Sequence, residues 1–303
     1  MSTRPVRAVR LGPRSVAALA LVSLIGLFAF CWPLFADAGS AVTSHAGDAP
    51  WLFAALLPLL VAVVVATIAD CGMDAKAVAM LGVLAAVGAA LRPLGAGTAG
   101  LEPMFFLMVL SGRVLGPGFG FVLGAVTMFA SALLTGGVGP WMPFQMLSMG
   151  WFTMGAGLLP WRVGVPPART EPRARGKLRG RGEPLMLSAY GFVAAFAYGT
   201  IMNLQGWVLL QGLSSGVSFQ PGAPLHENLV RFLAYITATS LGWDLGRAVL
   251  TVVLTLTIGG TLLKALRRAT RRANFEAQVT FEGPEKPSPG EPPHRTYVTY
   301  EPE

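Results

Sequence analysis

Apolar runs long enough to cross a bilayer as α-helices recur along this chain, and Gly, Pro or Arg separates each from the next. They begin near Arg14, Trp51, Ala75, Met104, Pro117, Pro140, Pro184 and Asn228. Backbone groups in hydrocarbon must be satisfied within the segment, so the reading is an all-α polytopic membrane protein with about eight transmembrane helices. Composition agrees: 53% of the residues are hydrophobic, only 13% are charged, and the mean hydropathy is +0.58. A soluble domain could not bury that much apolar surface.

The net charge of +8 would suggest nucleic acid in a soluble protein. Here the basic residues collect between apolar runs, where they act as topology signals, and no nucleic-acid partner is expected. Arg162, Arg169, Arg173, Arg175, Lys177, Arg179 and Arg181 face a single acid, Glu171, in one Pro/Gly-rich loop. That loop is read as cytoplasmic, as are both termini. Arg4, Arg7 and Arg10 precede the first run, which reads as an uncleaved span rather than a secretory signal. Cys31 and Cys71 have neither metal-type nor redox-type spacing, and no disulfide, metal or cofactor is expected.

Three regions follow. Residues 1–74 form an N-terminal extension with two transmembrane helices. Residues 75–272 form a six-helix membrane core carrying the basic loop 162–183. Residues 273–303 are polar, Pro-rich and expected to be disordered. The last apolar segment, from about Asn228 to Leu266, exceeds one crossing, so its basic end at Lys264, Arg267, Arg268, Arg271 and Arg272 is expected to project into the cytoplasm.

Polar and aromatic candidates gather near the outer helix ends. Trp141 and Gln145 lie four residues apart, which puts a ring and an amide on one helix face. Asn203 and Trp207 repeat the pairing on a later run, and this recurrence favours a shared pocket over two interfacial anchors. Arg231, Tyr235 and Thr239 share a face of the last segment. Glu102 sits at the mouth of the short run from Met104; it is either a pocket residue or a loop carboxylate beside a helix N-terminus. Asp244 and Arg247, three apart, can neutralise each other within the membrane and read as structural. The collection suits a bulky, partly planar polar solute and does not suit an ion pore.

Gly82, Ala86 and Ala90 recur every four residues on the run from Ala75, with Ala75 and Ala79 beside them. Such a stripe lets another helix approach closely, either within the protein or from a partner. No P-loop, H-E-x-x-H or G-x-S-x-G motif is present, so active uptake would draw its energy from another subunit.

The blocks Ala89-Ala90-Leu91-Arg92, Leu101-Glu102-Pro103, Gly139-Pro140-Trp141-Met142-Pro143-Phe144-Gln145-Met146 and Tyr198-Gly199-Thr200-Ile201-Met202-Asn203 carry a resemblance. Over about Ala75 to Arg268, the chain resembles the substrate-specific (S) component of energy-coupling-factor (ECF) vitamin transporters, in particular those associated with cobalamin or with queuosine precursors. The resemblance implies a six-helix core that captures a vitamin at the outer face of a bacterial plasma membrane. It implies docking on a transmembrane coupling subunit served by two cytoplasmic ATPases, through Ala75, Ala79, Gly82, Ala86 and Ala90. Glu102, Trp141, Gln145, Asn203, Trp207, Arg231 and Tyr235 would bind the solute, and the subunit itself would not be an enzyme. Two other classes stand beside this one: a membrane enzyme acting on lipid-linked substrates through Glu102 and Asp244, and a structural membrane protein without a ligand.

Overall fold

The computed structural model describes residues 13–31, 60–62, 64, 75–95, 98–160, 182–207 and 216–273. The second span of the N-terminal extension, the basic loop up to residue 181 and the tail from 274 lie outside these residues, apart from the fragment at 60–64. The elements are α1 (Pro13–Cys31), α2 (Ala75–Leu91), α3 (Met104–Leu115), α4 (Pro117–Thr135), α5 (Met142–Leu158), α6 (Gly182–Trp207), α7 (Leu225–Thr239), α8 (Leu241–Thr257) and α9 (Gly259–Ala273). No strand occurs among the described residues.

Three helical stretches are long and apolar enough to cross a membrane: Ala75–Gly95, Pro117–Thr135 and Gly182–Trp207. The pair α8 and α9 passes the same test together but is bent by 71°. The chain is therefore a helical membrane protein with three such helices among the described residues, or four if the bent pair is one span.

Proline and glycine set the helix ends. Gly116, at φ 92°, separates α3 from α4, and Pro117 opens α4 where its missing N–H costs nothing. Gly136 ends α4 in the left-handed region. Pro143 opens α5 in the same way.

The short helix α3 is the centre of the bundle. Every one of its residues from Met104 to Leu115 is buried. Twelve residues rise only about 18 Å, well short of a hydrocarbon core. The fold avoids that mismatch by enclosing α3 in protein, with α2, α4, α5, α6, α8 and α9 packed around it. Bilayer thinning, which its length suggests, is not needed.

On the far side of α5, helix α1 packs as an added layer. Phe30 meets Phe144 edge-on with ring centroids 4.8 Å apart, and Trp151 Nε1 donates to Ser23 Oγ at 2.9 Å.

The segment expected as one continuous run from Asn228 to Leu266 is instead three helices, α7, α8 and α9. Ser240 leaves helical geometry at φ −122°, and its N–H still reaches Ile236 O at 2.9 Å, closing α7. The second break falls at Ile258, beside Gly259 and Gly260, residues with low helix propensity. The basic end consequently does not continue the line of the span; it turns across it.

Candidate functional site

A seam of polar and aromatic residues runs between α6 on one side and α7 with α8 on the other. Gly199, Asn203 and Trp207 are spaced by four along α6 and so share its face. The facing elements contribute Arg247, Asp244 and Ser240 from α8 and its N-cap, then Tyr235 and Phe232 from α7.

At the deepest level of the seam, Arg247 is 8% exposed and bonds two carboxylates. Its Nε donates to Glu102 Oε2 at 3.0 Å and its Nη1 to Asp244 Oδ1 at 2.8 Å. The guanidinium also lies over two rings, 4.7 Å from the Phe105 centroid and 5.2 Å from that of Tyr198. A planar cation with separate donors can hold two carboxylates and two ring faces at once, as a lysine could not. With one cation for two acids, the cluster carries a formal surplus of one negative charge.

Backbone packing brings Glu102 to this place. The loop before α3 lies directly on the first turns of α8, and a Cβ at Gly100 would strike the Trp243 backbone while one at Gly246 would strike Ala99 O. Gly100 also stands at φ 87°, where only glycine is unstrained.

One turn outward, Ser240 Oγ donates to Asn203 Oδ1 at 3.0 Å. One further turn on, Trp207 is fully buried and surrounded by aromatic rings. Its centroid lies 5.1 Å from Phe232, 5.4 Å from Phe219 and 6.4 Å from Tyr235. Its indole Nε1 donates to Val217 O at 2.7 Å. Asn228 fixes the same loop by donating to Gln220 O at 2.9 Å and accepting from Gln220 N at 3.0 Å. The loop segment 216–224 thus covers the rings.

The structure treats the seven sequence candidates differently. Glu102, Asn203, Trp207 and Tyr235 all belong to the seam. Arg231 lies one turn from Tyr235 and pairs with Glu227 at 3.2 Å, leaving Nη1 buried without a partner among the described residues. Gln145 likewise buries Oε1 without a partner. The next turn of α5 reaches α6 beside Asn203, where Ser148 Oγ donates to Met202 Sδ at 3.6 Å.

Trp141 departs from expectation. It is 45% exposed, and its Nε1 donates to Gly137 O at 3.2 Å, so the ring folds back over its own turn at Gly139. The Trp141–Gln145 face does not form a plate beside an amide, because the Gly137–Pro140 turn offers the indole a nearer carbonyl and a surface without side chains.

Arg247, Tyr198, Phe105, Ser240, Phe219 and Phe232 complete the seam but are not among the candidates derived from sequence. For Arg247 the signal was half visible, since its pairing with Asp244 follows from spacing and Glu102 is 145 residues away.

A second ionic cluster closes the other end of α3. Arg113 is 1% exposed; its Nε donates to Glu183 at 2.9 Å, Nη1 to Leu159 O at 2.9 Å and Nη2 to Pro160 O at 3.2 Å. Arg267 of α9 donates to the same carboxylate oxygen. The costly arginine at the inner end of a short apolar run is thereby satisfied by a carboxylate and by carbonyls at the end of α5.

On α2 the two faces separate cleanly. Ala77, Leu81, Leu84, Ala85, Gly88 and Ala89 are buried against the bundle, whereas Ala75, Ala79, Gly82, Ala86 and Ala90 are exposed. A Cβ at Gly82 would meet nothing within 4 Å. No helix of the described residues covers this stripe.

Compared with known proteins, the chain matches no family model, and no curated protein and no solved structure is significantly similar to it.

Proposed function

We propose that this chain is the membrane-embedded substrate-binding subunit of an ECF-type importer, capturing a vitamin, with cobalamin or a related corrinoid favoured and a queuosine precursor next. The observation that carries the binding part of this reading is unmet hydrogen-bonding capacity. Five buried side-chain polar atoms lack a partner among the described residues, and Gln145 Oε1 and Arg231 Nη1 are two of them. Burying such a group unpaired costs roughly 1–3 kcal/mol, a cost that a bound polar solute would remove. An acceptor on α5 and a donor on α7, with the aromatic wall of Trp207 and Tyr235, match the chemistry of a planar polar ligand.

The uncovered small-residue face of α2 supports docking on a transmembrane coupling subunit, with hydrolysis by two cytoplasmic ATPases. A plasma-membrane location, with eight spans and both termini cytoplasmic, belongs to the same proposal. The enzyme reading relied on Glu102 and Asp244 as acid/base or metal groups; here both carboxylates are engaged by Arg247, which weighs against that role.

The test is binding of labelled cobalamin, with queuine and other vitamins as competitors, to the detergent-purified chain and to Gln145→Ala and Asn203→Ala variants. Saturable binding lost in the variants is the expected result. Absence of saturable binding by every vitamin would sink the substrate assignment and return weight to an enzyme or a structural protein.

A further inference from the structure

The last described helix presents a row of cations that nothing in the fold neutralises. Lys264, Arg268 and Arg271 follow one another at four and three residues, the spacing of a single stripe. All three are exposed, and none forms an ion pair among the described residues. Arg267, between them, is instead drawn inward to Glu183. The opposite face of α9 is buried through Leu263, Leu266 and Thr270, and Gly259 lies against Phe106 of α3. The helix is therefore held on the bundle, and only its basic side is free.

Its position says what that side meets. The end of α8 exposes Val253, Leu256 and Ile258, each about half accessible, on the outside of a membrane bundle where hydrocarbon covers such residues. At Ile258 that surface ends, and α9 turns by 71° to run across the end of the bundle. A helix that begins where the hydrocarbon-facing surface stops, and then lies crosswise, sits at the depth of the lipid headgroups. We propose that α9 is a headgroup-binding helix whose Lys264, Arg268 and Arg271 side chains take the phosphodiesters of anionic phospholipid. The charge is complementary, and long basic side chains can reach up to the phosphate level while their stems stay on apolar surface. The row does not depend on which solute the chain binds.

The test uses the full chain reconstituted in phosphatidylcholine vesicles containing a trace of spin-labelled phosphatidylglycerol or spin-labelled phosphatidylcholine. Electron spin resonance then reports the fraction of each lipid held motionally restricted by the protein. At low salt the labelled phosphatidylglycerol is expected to be preferred at least about fivefold, the weight of one surface cation. That preference should collapse in about 1 M salt, where screening acts within about 3 Å. It should collapse too in the K264Q/R268Q/R271Q variant, whose altered side chains bond nothing among the described residues. Equal restriction of the two lipids by the native chain would overturn the proposal and leave the row to a protein partner. Undiminished preference in the variant would overturn it as well, and the salt arm decides without any variant should the triple substitution fail to fold.

Discussion

Gly199 and Asp244 meet where no side chain fits between them: a Cβ on Gly199 would overlap both carboxylate oxygens of Asp244. The bare backbone of α6 is what lets α8 bring an acid, and with it Arg247, into the seam. Gly199→Ala is expected to push Asp244 aside and to lower stability by about 1–3 kcal/mol, the range for overpacking. A thermal unfolding midpoint in detergent that is unchanged from the native chain would contradict this contact.

Arg247→Ala strands two carboxylates on one buried site. Removing one partner of a buried ionic group costs roughly 3–5 kcal/mol, so the variant should unfold at much lower temperature or fail to accumulate. Arg247→Lys should recover little, since an ammonium cannot serve Glu102 and Asp244 through separate planar donors while lying on Phe105 and Tyr198. The triple variant E102Q/R247M/D244N, with no charge left to strand, should be more stable than Arg247→Ala alone. If it is not, the cost lies in packing rather than charge.

The two tryptophans that look alike in the sequence should behave differently. Trp207→Ala removes a fully buried ring from the Phe219, Phe232 and Tyr235 cluster and should cost about 3–5 kcal/mol. Trp141→Ala removes a half-exposed ring resting on its own turn and should cost under about 1 kcal/mol. Parallel denaturation of the two variants checks the order, and comparable losses would mean that Trp141 is buried by something outside this chain.

Two glycines six residues apart on α2 separate internal packing from external docking. Gly88→Leu must displace Thr127 and Met108 and should destabilise the isolated chain. Gly82→Leu points into open space and should leave the purified chain as stable as the native one. If α2 docks on a coupling subunit, Gly82→Leu should nevertheless abolish co-purification with it. Loss of stability in Gly82→Leu without any partner would show that the stripe packs internally.

At the opposite end, Arg113→Ala would free Glu183 to Arg267 alone and leave two carbonyls without their donor. A loss of about 3 kcal/mol or more is expected, with α9 loosened because Arg267 and Glu183 share the site. Hydrogen exchange in α9 should then rise more than in α4, which has no link to that cluster; uniform change across both would point to global unfolding instead.

What the sequence by itself determined is the set of helices and most of their limits. Apolar runs, Pro117 and Pro143 at helix starts, and Gly136 after a helix end are local signals, and Ala75–Leu91 and Met104 onward begin where those signals place them. The basic stretch at the end of the last segment was legible for the same reason. Tertiary structure decided which face of each helix is covered. Lipid and protein interior are both apolar, so hydrophobic patterning does not tell a buried Leu from a lipid-facing one. That is why the burial of all of α3 and the exposure of the α2 stripe emerged only from packing. It also decided the fate of polar groups, because a buried charge binds whatever the fold brings near it. Glu102 found Arg247 across 145 residues of chain, Trp207 gained a ring of aromatics, and Trp141 kept to its own turn. Spacing names residues on one face of one helix; only the arrangement of several helices supplies their partners.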